Sequence, residues 1–142
     1  MIKLNFIKQF QFRFKKSDDG KPMIFDIVRK KWLILTPEEW VRQHWVHNLI
    51  EVHKINPSVI VIEAGLKVYN TNKRSDIVVY KNGEPDILIE CKRESVVIDD
   101  KVLQQAVNYN SNYQCNFLVI SNGINHYYFK KENGELVQKE GL

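Results

Sequence analysis

Apolar positions along the chain change period several times, and each change marks an element. Phe6, Phe10, Phe12 and Phe14 recur at even spacings among polar residues, the pattern of a half-buried strand. The turn cluster Ser17-Asp18-Asp19-Gly20-Lys21-Pro22 follows, and Met23 to Val28 reads as a second strand, so residues 1–31 are expected to form an N-terminal β-hairpin. After Trp32-Leu33-Ile34-Leu35, the run Thr36-Pro37-Glu38-Glu39 supplies an N-cap, a first-turn proline and the acid of a capping box. Val41, Trp45, Leu49 and Val52 then recur at helical spacing, predicting a helix from about Pro37 to His53 that ends before Asn56-Pro57. His44 and His47 fall outside that stripe and are expected to face solvent, whereas Trp32, Trp40 and Trp45 are expected in the core or at the stripe's edge.

Further on, Val59 to Glu63 is β-rich and Thr71-Asn72-Lys73 reads as polar loop. Two strands, Ser75 to Tyr80 and Asp86 to Lys92, flank Asn82-Gly83, a strong hairpin signal. Asp99-Asp100 can cap a second helix with Val102, Leu103, Ala106 and Val107 on one side. Phe117 to Ile120 is an apolar strand, Asn122-Gly123 a turn, and His126 to Phe129 a returning strand; residues 130–142 are expected to fray. The order ββ, α, β, ββ, α, ββ predicts a mixed α/β domain.

Composition narrows the classes. A chain of 142 residues, 44% hydrophobic, fits one domain, 1–142, with a real core. No apolar run approaches the roughly 20 residues of a membrane span, and the alternating N-terminus is unlike a secretory signal. Two cysteines, Cys91 and Cys115, suit a reducing cytoplasm, the expected location. The net charge of +4 is uneven: residues 1–31 hold nine Lys/Arg against three Asp/Glu, the remainder twelve against fourteen. Lys15, Lys16, Lys30 and Lys31 are therefore candidate DNA contacts; the alternative is a solvated strand edge.

The chemistry concentrates in Ser75 to Lys92. Glu90 and Lys92 are two apart on a strand and share a face. Asp76 begins the antiparallel partner, so the hairpin brings it beside Glu90, provided the turn or a bulge keeps paired positions at an even sum. Two adjacent carboxylates call for a cation, and oxygen ligands without a His or Cys cluster favour Mg²⁺ or Mn²⁺. Lys92 could orient a water on such an ion, completing a set suited to phosphodiester hydrolysis. Asp86, beside Pro85, reads as hairpin punctuation, and Glu63 as structural.

Asp76 followed by Glu90-Cys91-Lys92 resembles the D…E-x-K core of PD-(D/E)XK nucleases. Gln105-Ala106-Val107-Asn108-Tyr109 resembles the Q-x-x-x-Y helix motif of RecB-like members and of type I restriction motor subunits. Leu35 to Gln43 is similar to the first-helix signature of small relatives of those subunits' N-terminal nuclease domain, and Ser121-Asn122-Gly123 to their T-N-G turn. The resemblance covers about residues 24–129. It implies a restriction-endonuclease-like mixed central sheet flanked by helices, with residues 36–129 as its core. It also implies DNA cleavage with Mg²⁺ or Mn²⁺ held by Asp76, Glu90 and the Cys91 carbonyl, Glu39 adding a carboxylate. Lys92 would activate water, and Gln105 and Tyr109 would flank the site. No motor sequence is present, so a stand-alone nuclease is expected, with DNA as partner. Cutting both strands of a duplex would call for a homodimer, and a restriction complex is the other expected partner. The rivals are a non-catalytic nucleic-acid-binding or assembly module on the same fold, and a subunit active only with its partner.

Overall fold

The computed structural model describes residues 1–68 and 71–142, and for 64–68, 71–75, 112 and 113 the backbone alone. β1 (Phe14–Lys16), β2 (Pro22–Asp26) and β3 (Lys31–Ile34) form a three-stranded antiparallel sheet. β4 (Ile60–Val68), β5 (Thr71–Lys81), β6 (Glu84–Cys91), β7 (Phe117–Ser121), β8 (His126–Glu132) and β9 (Glu135–Lys139) form a second, six-stranded sheet in chain order. β6 and β7 are parallel, joined by the crossover helix α2 (Asp100–Tyr113), and the other pairs are antiparallel. α1 (Pro37–Glu51) links the two sheets. The architecture is mixed α/β, as the element order predicts.

Side-chain alternation splits the core into two layers. Ile77, Val79, Ile87 and Ile89 face α1 and meet Val41, Trp45, Val46 and Leu49. Val78, Leu88, Leu118 and Ile120 face the α2 side with Ala106 and Tyr109. Burying each large side chain contributes about 1.5–3 kcal/mol, so both helices are held mainly by packing. Both starts follow their caps: the Thr36 hydroxyl accepts the Glu39 N–H at 3.0 Å, and Asp99 Oδ1 accepts the Val102 N–H at 3.0 Å.

The β5–β6 hairpin turns on Asn82-Gly83, both left-handed at φ 54° and 79°, which glycine adopts without strain. Lys81 pairs with Glu84 and Tyr80 with Pro85, an odd register that would put Asp76 and Glu90 on opposite faces. The register then shifts: Val79 pairs with Ile87, leaving Asp86 as the extra residue of a bulge. From there to Ile77 and Ile89 the sum is even, the condition for a shared site.

Four expectations are corrected. The N-terminal phenylalanines do not form a long strand. Only Phe14 begins β1, and the chain before it lies along the outer side of α1. Phe12 stacks on Trp40, His44 and His47, with ring centroids 5.1, 4.8 and 4.6 Å apart, and Phe6 packs on Trp45 at 5.3 Å. His44 and His47 are consequently buried, not solvated, because this arm covers the side of α1 that its own stripe leaves open. Thr71-Asn72-Lys73 is strand, since β4 and β5 pair down to Val68 and Thr71 and backbone bonding carries the hairpin despite its polar side chains. The tail is not frayed: Asn133-Gly134 turns it into β9, and Lys139 pairs with Glu132.

Candidate active site

β6 and β7 end together, Glu90 beside Ile120 and Cys91 beside Ser121, and the Lys92 N–H donates to the Ser121 carbonyl at 2.7 Å. The carboxyl ends of parallel strands are where open sheets hold ligands. The paired register ends at Ile77 and Ile89, one residue short of Asp76 and of Glu90, so continued by one step it would set the two carboxylates opposite each other. Asp76 Oδ2 accepts the Cys91 N–H at 2.8 Å, which draws the carboxylate to the end of β6. Lys92 Nζ lies 3.0 Å from Glu90 Oε1. Burial opposes the Lys92 charge, but Glu90, Asp76 and Glu38 raise it above the usual lysine range, so the ammonium stays protonated among these acids.

Arg42 brings α1 into the site. Its Nη2 lies 2.8 Å from Asp76 Oδ1, 3.0 Å from Glu38 Oε1 and 3.5 Å from Glu63 Oε1, while Nη1 lies 2.7 Å from Glu39 Oε1. Arg29 repeats the arrangement from the β2–β3 turn, reaching Asp26 at 2.7 Å and Glu39 and Glu63 at 3.3 Å. Gln43 Nε2 donates to Asp26 Oδ2 and Glu39 Oε2. Glu39 therefore completes no reciprocal capping bond to Thr36 but sits between two guanidinium groups. Glu63, with a left-handed φ of 53°, interrupts β4 where it would pair with Asp76 and turns its carboxylate to the same arginines.

Burial pushes Asp76 up to about 6, even with Arg42 and the Cys91 N–H favouring its charged form. A buried carboxylate held at so unfavourable a pKa is a group that a cation would relieve. Among the described residues no three His, Cys, Asp or Glu side chains converge as a ready metal cage, because arginines stand between the acids. The donor chemistry nonetheless fits Mg²⁺: each Asp76 oxygen keeps a lone pair beyond its present bond, among the described residues Glu90 is engaged only by the exchangeable ammonium of Lys92, and the ligands are all hard oxygens.

Of the other sequence candidates, Gln105 is exposed on α2, and Tyr109, one turn later, is buried in the layer shared with Val78 and Leu88. Cys91 is buried among apolar side chains, and burial raises its thiol well above the usual range, leaving it inert as a nucleophile. Lys15 and Lys16 lie on β1, Lys30 in the β2–β3 turn and Lys31 at the start of β3, all exposed. Ser121-Asn122-Gly123 anchors the N-terminal arm: the Gly123 carbonyl accepts the Asn5 N–H at 2.8 Å, and His126 bridges Ser121 Oγ and the Asn5 carbonyl. Sequence reasoning missed Arg42, Arg29, Asp26 and Gln43. The signal for Arg42 was its place three and four residues after Glu39 and Glu38, within ion-pair reach on a helix.

A family model described as the type I restriction enzyme R protein N terminus matches residues 37–140. That span holds α1, the whole six-stranded sheet, α2, and Asp76, Glu90 and Lys92. No curated protein and no solved structure gives a significant match.

Proposed function

The chain belongs to the type I restriction enzyme R protein N-terminus family, and from that premise we propose that it is a metal-dependent nuclease of the PD-(D/E)XK type, cutting DNA phosphodiester bonds. Membership points to a role in restriction or defence. The observation that supports the enzymatic reading is the bulge at Asp86, which returns the hairpin to the even register that a site shared by Asp76 and Glu90 needs.

Asp76, Glu90 and the Cys91 carbonyl would hold Mg²⁺ or Mn²⁺ on a restriction-endonuclease-like fold. Bound there, the ion would acidify a water and offset charge on the scissile phosphate. Lys92, kept protonated by Glu90, orients the attacking water and stabilises negative charge developing on it. Arg29 and Arg42 pair with Glu39 and Glu63 and leave the mouth less negative than its acids alone would make it. DNA is the proposed substrate, with Lys15, Lys16, Lys30 and Lys31 as phosphate contacts.

The Arg42–Asp76 bond favours a second reading, in which arginine takes the cation's place permanently and the fold serves as a non-catalytic module or acts only with a partner subunit. Purified chain incubated with single- and double-stranded DNA in Mg²⁺ and in Mn²⁺, beside Lys92→Ala, separates the two. Cleavage by the wild type that is lost in the variant supports the nuclease. Cleavage that survives Lys92→Ala, or none with either ion, leaves the second reading.

A further inference from the structure

The small sheet has two unlike faces. Ile24 and Asp26 are fully buried on its inner face, which packs toward the site acids. On the outer face Phe25 of β2 pairs with Trp32 of β3, ring centroids 5.2 Å apart at 65°. Two exposed cations lie over these rings. The Arg13 guanidinium is 4.6 Å from the Phe25 centroid and 5.4 Å from that of Trp32, and Lys15 Nζ is 4.6 Å from Trp32. Arg13 is fixed in place because its carbonyl accepts the Phe25 N–H at 3.0 Å. The acids of this segment do not balance the charge here: Asp26 is buried on the other face under Arg29, and Asp18 and Asp19 sit in the β1–β2 turn.

Exposed cation–π pairs are weak, and nucleobases stack on aromatic side chains more strongly. A base arriving on Trp32 or Phe25 would displace the cation, which is then free to meet the adjacent phosphate. A duplex, whose bases are already stacked inside it, offers this face phosphates only and leaves the rings unused. We propose that the outer face of β1–β3 is a docking platform for an unpaired nucleic-acid strand, Trp32 and Phe25 stacking its bases and Arg13 and Lys15 taking its phosphates. The proposal rests on the nuclease reading for its purpose. Arg29 joins the two places, since the turn that carries it connects β2 to β3 while its guanidinium reaches Glu39 and Glu63.

The test is binding by the full chain in EDTA, which prevents cleavage, followed by fluorescence anisotropy of a labelled oligo-dT and of a hairpin duplex with the same number of phosphates. Oligo-dT should bind at least about tenfold more tightly. Arg13→Gln with Lys15→Gln, both exposed and compatible with the fold, should weaken oligo-dT binding by about tenfold and flatten its log–log salt slope by about 1.4, at roughly 0.7 for each phosphate no longer neutralised. Trp32→Ala should remove the preference for oligo-dT and Trp32→Phe should keep most of it; circular dichroism confirms that each variant is folded. Equal affinity for the two ligands, or oligo-dT binding unchanged in the double variant, overturns the proposal. So does a Trp32→Ala chain that changes from dimer to monomer in sedimentation with binding intact, which would make the face an interface between copies. The outcomes separate from those of the nuclease reading: binding as described with no cleavage of any DNA sinks the nuclease alone, and Lys92-dependent cleavage with an inert outer face sinks the platform alone.

Discussion

Arg42 Nη2 lies 2.8 Å from Asp76 Oδ1, so the carboxylate that the nuclease reading assigns to a metal already holds a cation supplied by the first helix. The same guanidinium meets Glu38, Glu39 and Glu63. A divalent ion at Asp76 must therefore share the carboxylate with Arg42 or displace it.

Arg42→Gln should make that competition visible. Removing one side of a buried ion pair leaves the other uncompensated, at a cost of about 3–5 kcal/mol. The metal-free variant should melt roughly 10 °C below the wild type. Its gain on adding Mn²⁺ should exceed the wild-type gain, which is about 1.4 kcal/mol when the ion is at ~10 times Kd. Paired melting curves with and without Mn²⁺ read both effects. Equal gains would mean that Arg42 and the metal do not meet.

Asp76 and the histidines pull stability in opposite directions with pH. Burial raises Asp76 to about 6, so the folded chain binds that proton more tightly than the unfolded chain, and the contribution of this group falls as pH rises from about 4 to about 6. Burial lowers His44 to about 4 and depresses His47, His53 and His126, so their contribution is present above about 6.5 and lost as pH falls below it. Asp26, which burial pushes up but hydrogen bonds from Arg29 and Gln43 hold below the usual carboxylate range, loses its contribution on acidification as well, so Asp26 and the histidines together outweigh Asp76 and leave a net loss. In Asp76→Asn the opposing group is gone, and the loss between pH 6 and 4 should steepen by up to about 3 kcal/mol. Urea denaturation of both proteins across this range, in EDTA, measures it; parallel curves would place Asp76 at an ordinary carboxylate pKa.

Lys92→Ala should separate metal binding from chemistry. Lys92 contacts Glu90 at 3.0 Å, so its loss removes a competitor for that carboxylate as well as the group to which the nuclease reading assigns the orientation of water. Calorimetric Mn²⁺ titration should show affinity kept or improved while cleavage disappears. Asp76→Ala and Glu90→Ala should lose both. A Lys92→Ala chain that no longer binds Mn²⁺ would move the lysine into the fold's support rather than the reaction.

Gly123→Ala tests the anchor of the arm. Gly123 has φ 86°, and a Cβ there would stand 2.8 Å from Leu4 and 3.0 Å from Val41 side-chain carbons. Strain and crowding together should cost about 1–3 kcal/mol, and Leu4 with Asn5 should be the part that yields. Hydrogen exchange should rise at the Asn5 amide before it rises in β7. Uniform loss of protection would show the turn acting on the whole sheet instead.

How far the sequence revealed these features depended on whether the signal was local. The caps at Thr36 and Asp99 and the turn at Asn82-Gly83 depend on neighbouring residues and were legible. The same dipeptide logic applied to Asn133-Gly134 would have predicted β9, but the polar residues around it hid a strand that needs no buried face. The parity argument required a bulge or an odd turn between Asp76 and Glu90 without saying where; Pro85, which lacks an N–H for the ladder, was the clue to its place beside Asp86. Arm and arginines were not legible for a different reason. Phe12 over His44 and Arg42 on Asp76 join residues more than thirty positions apart, and no periodicity encodes such a meeting.

The wrapping of α1 also bears on where this protein can be divided. The shared family segment opens at residue 37, the first residue of α1, yet that helix is enclosed from outside by residues 4–14, which lie wholly upstream. Cut at the family limit, the remainder would turn Trp40, His44 and His47 to water on the helix that carries Glu39 and Arg42. Family likeness and physical cohesion thus draw different borders here: the matched segment holds every acid but Asp26 in the cluster, while the piece that keeps their helix dry lies upstream of it.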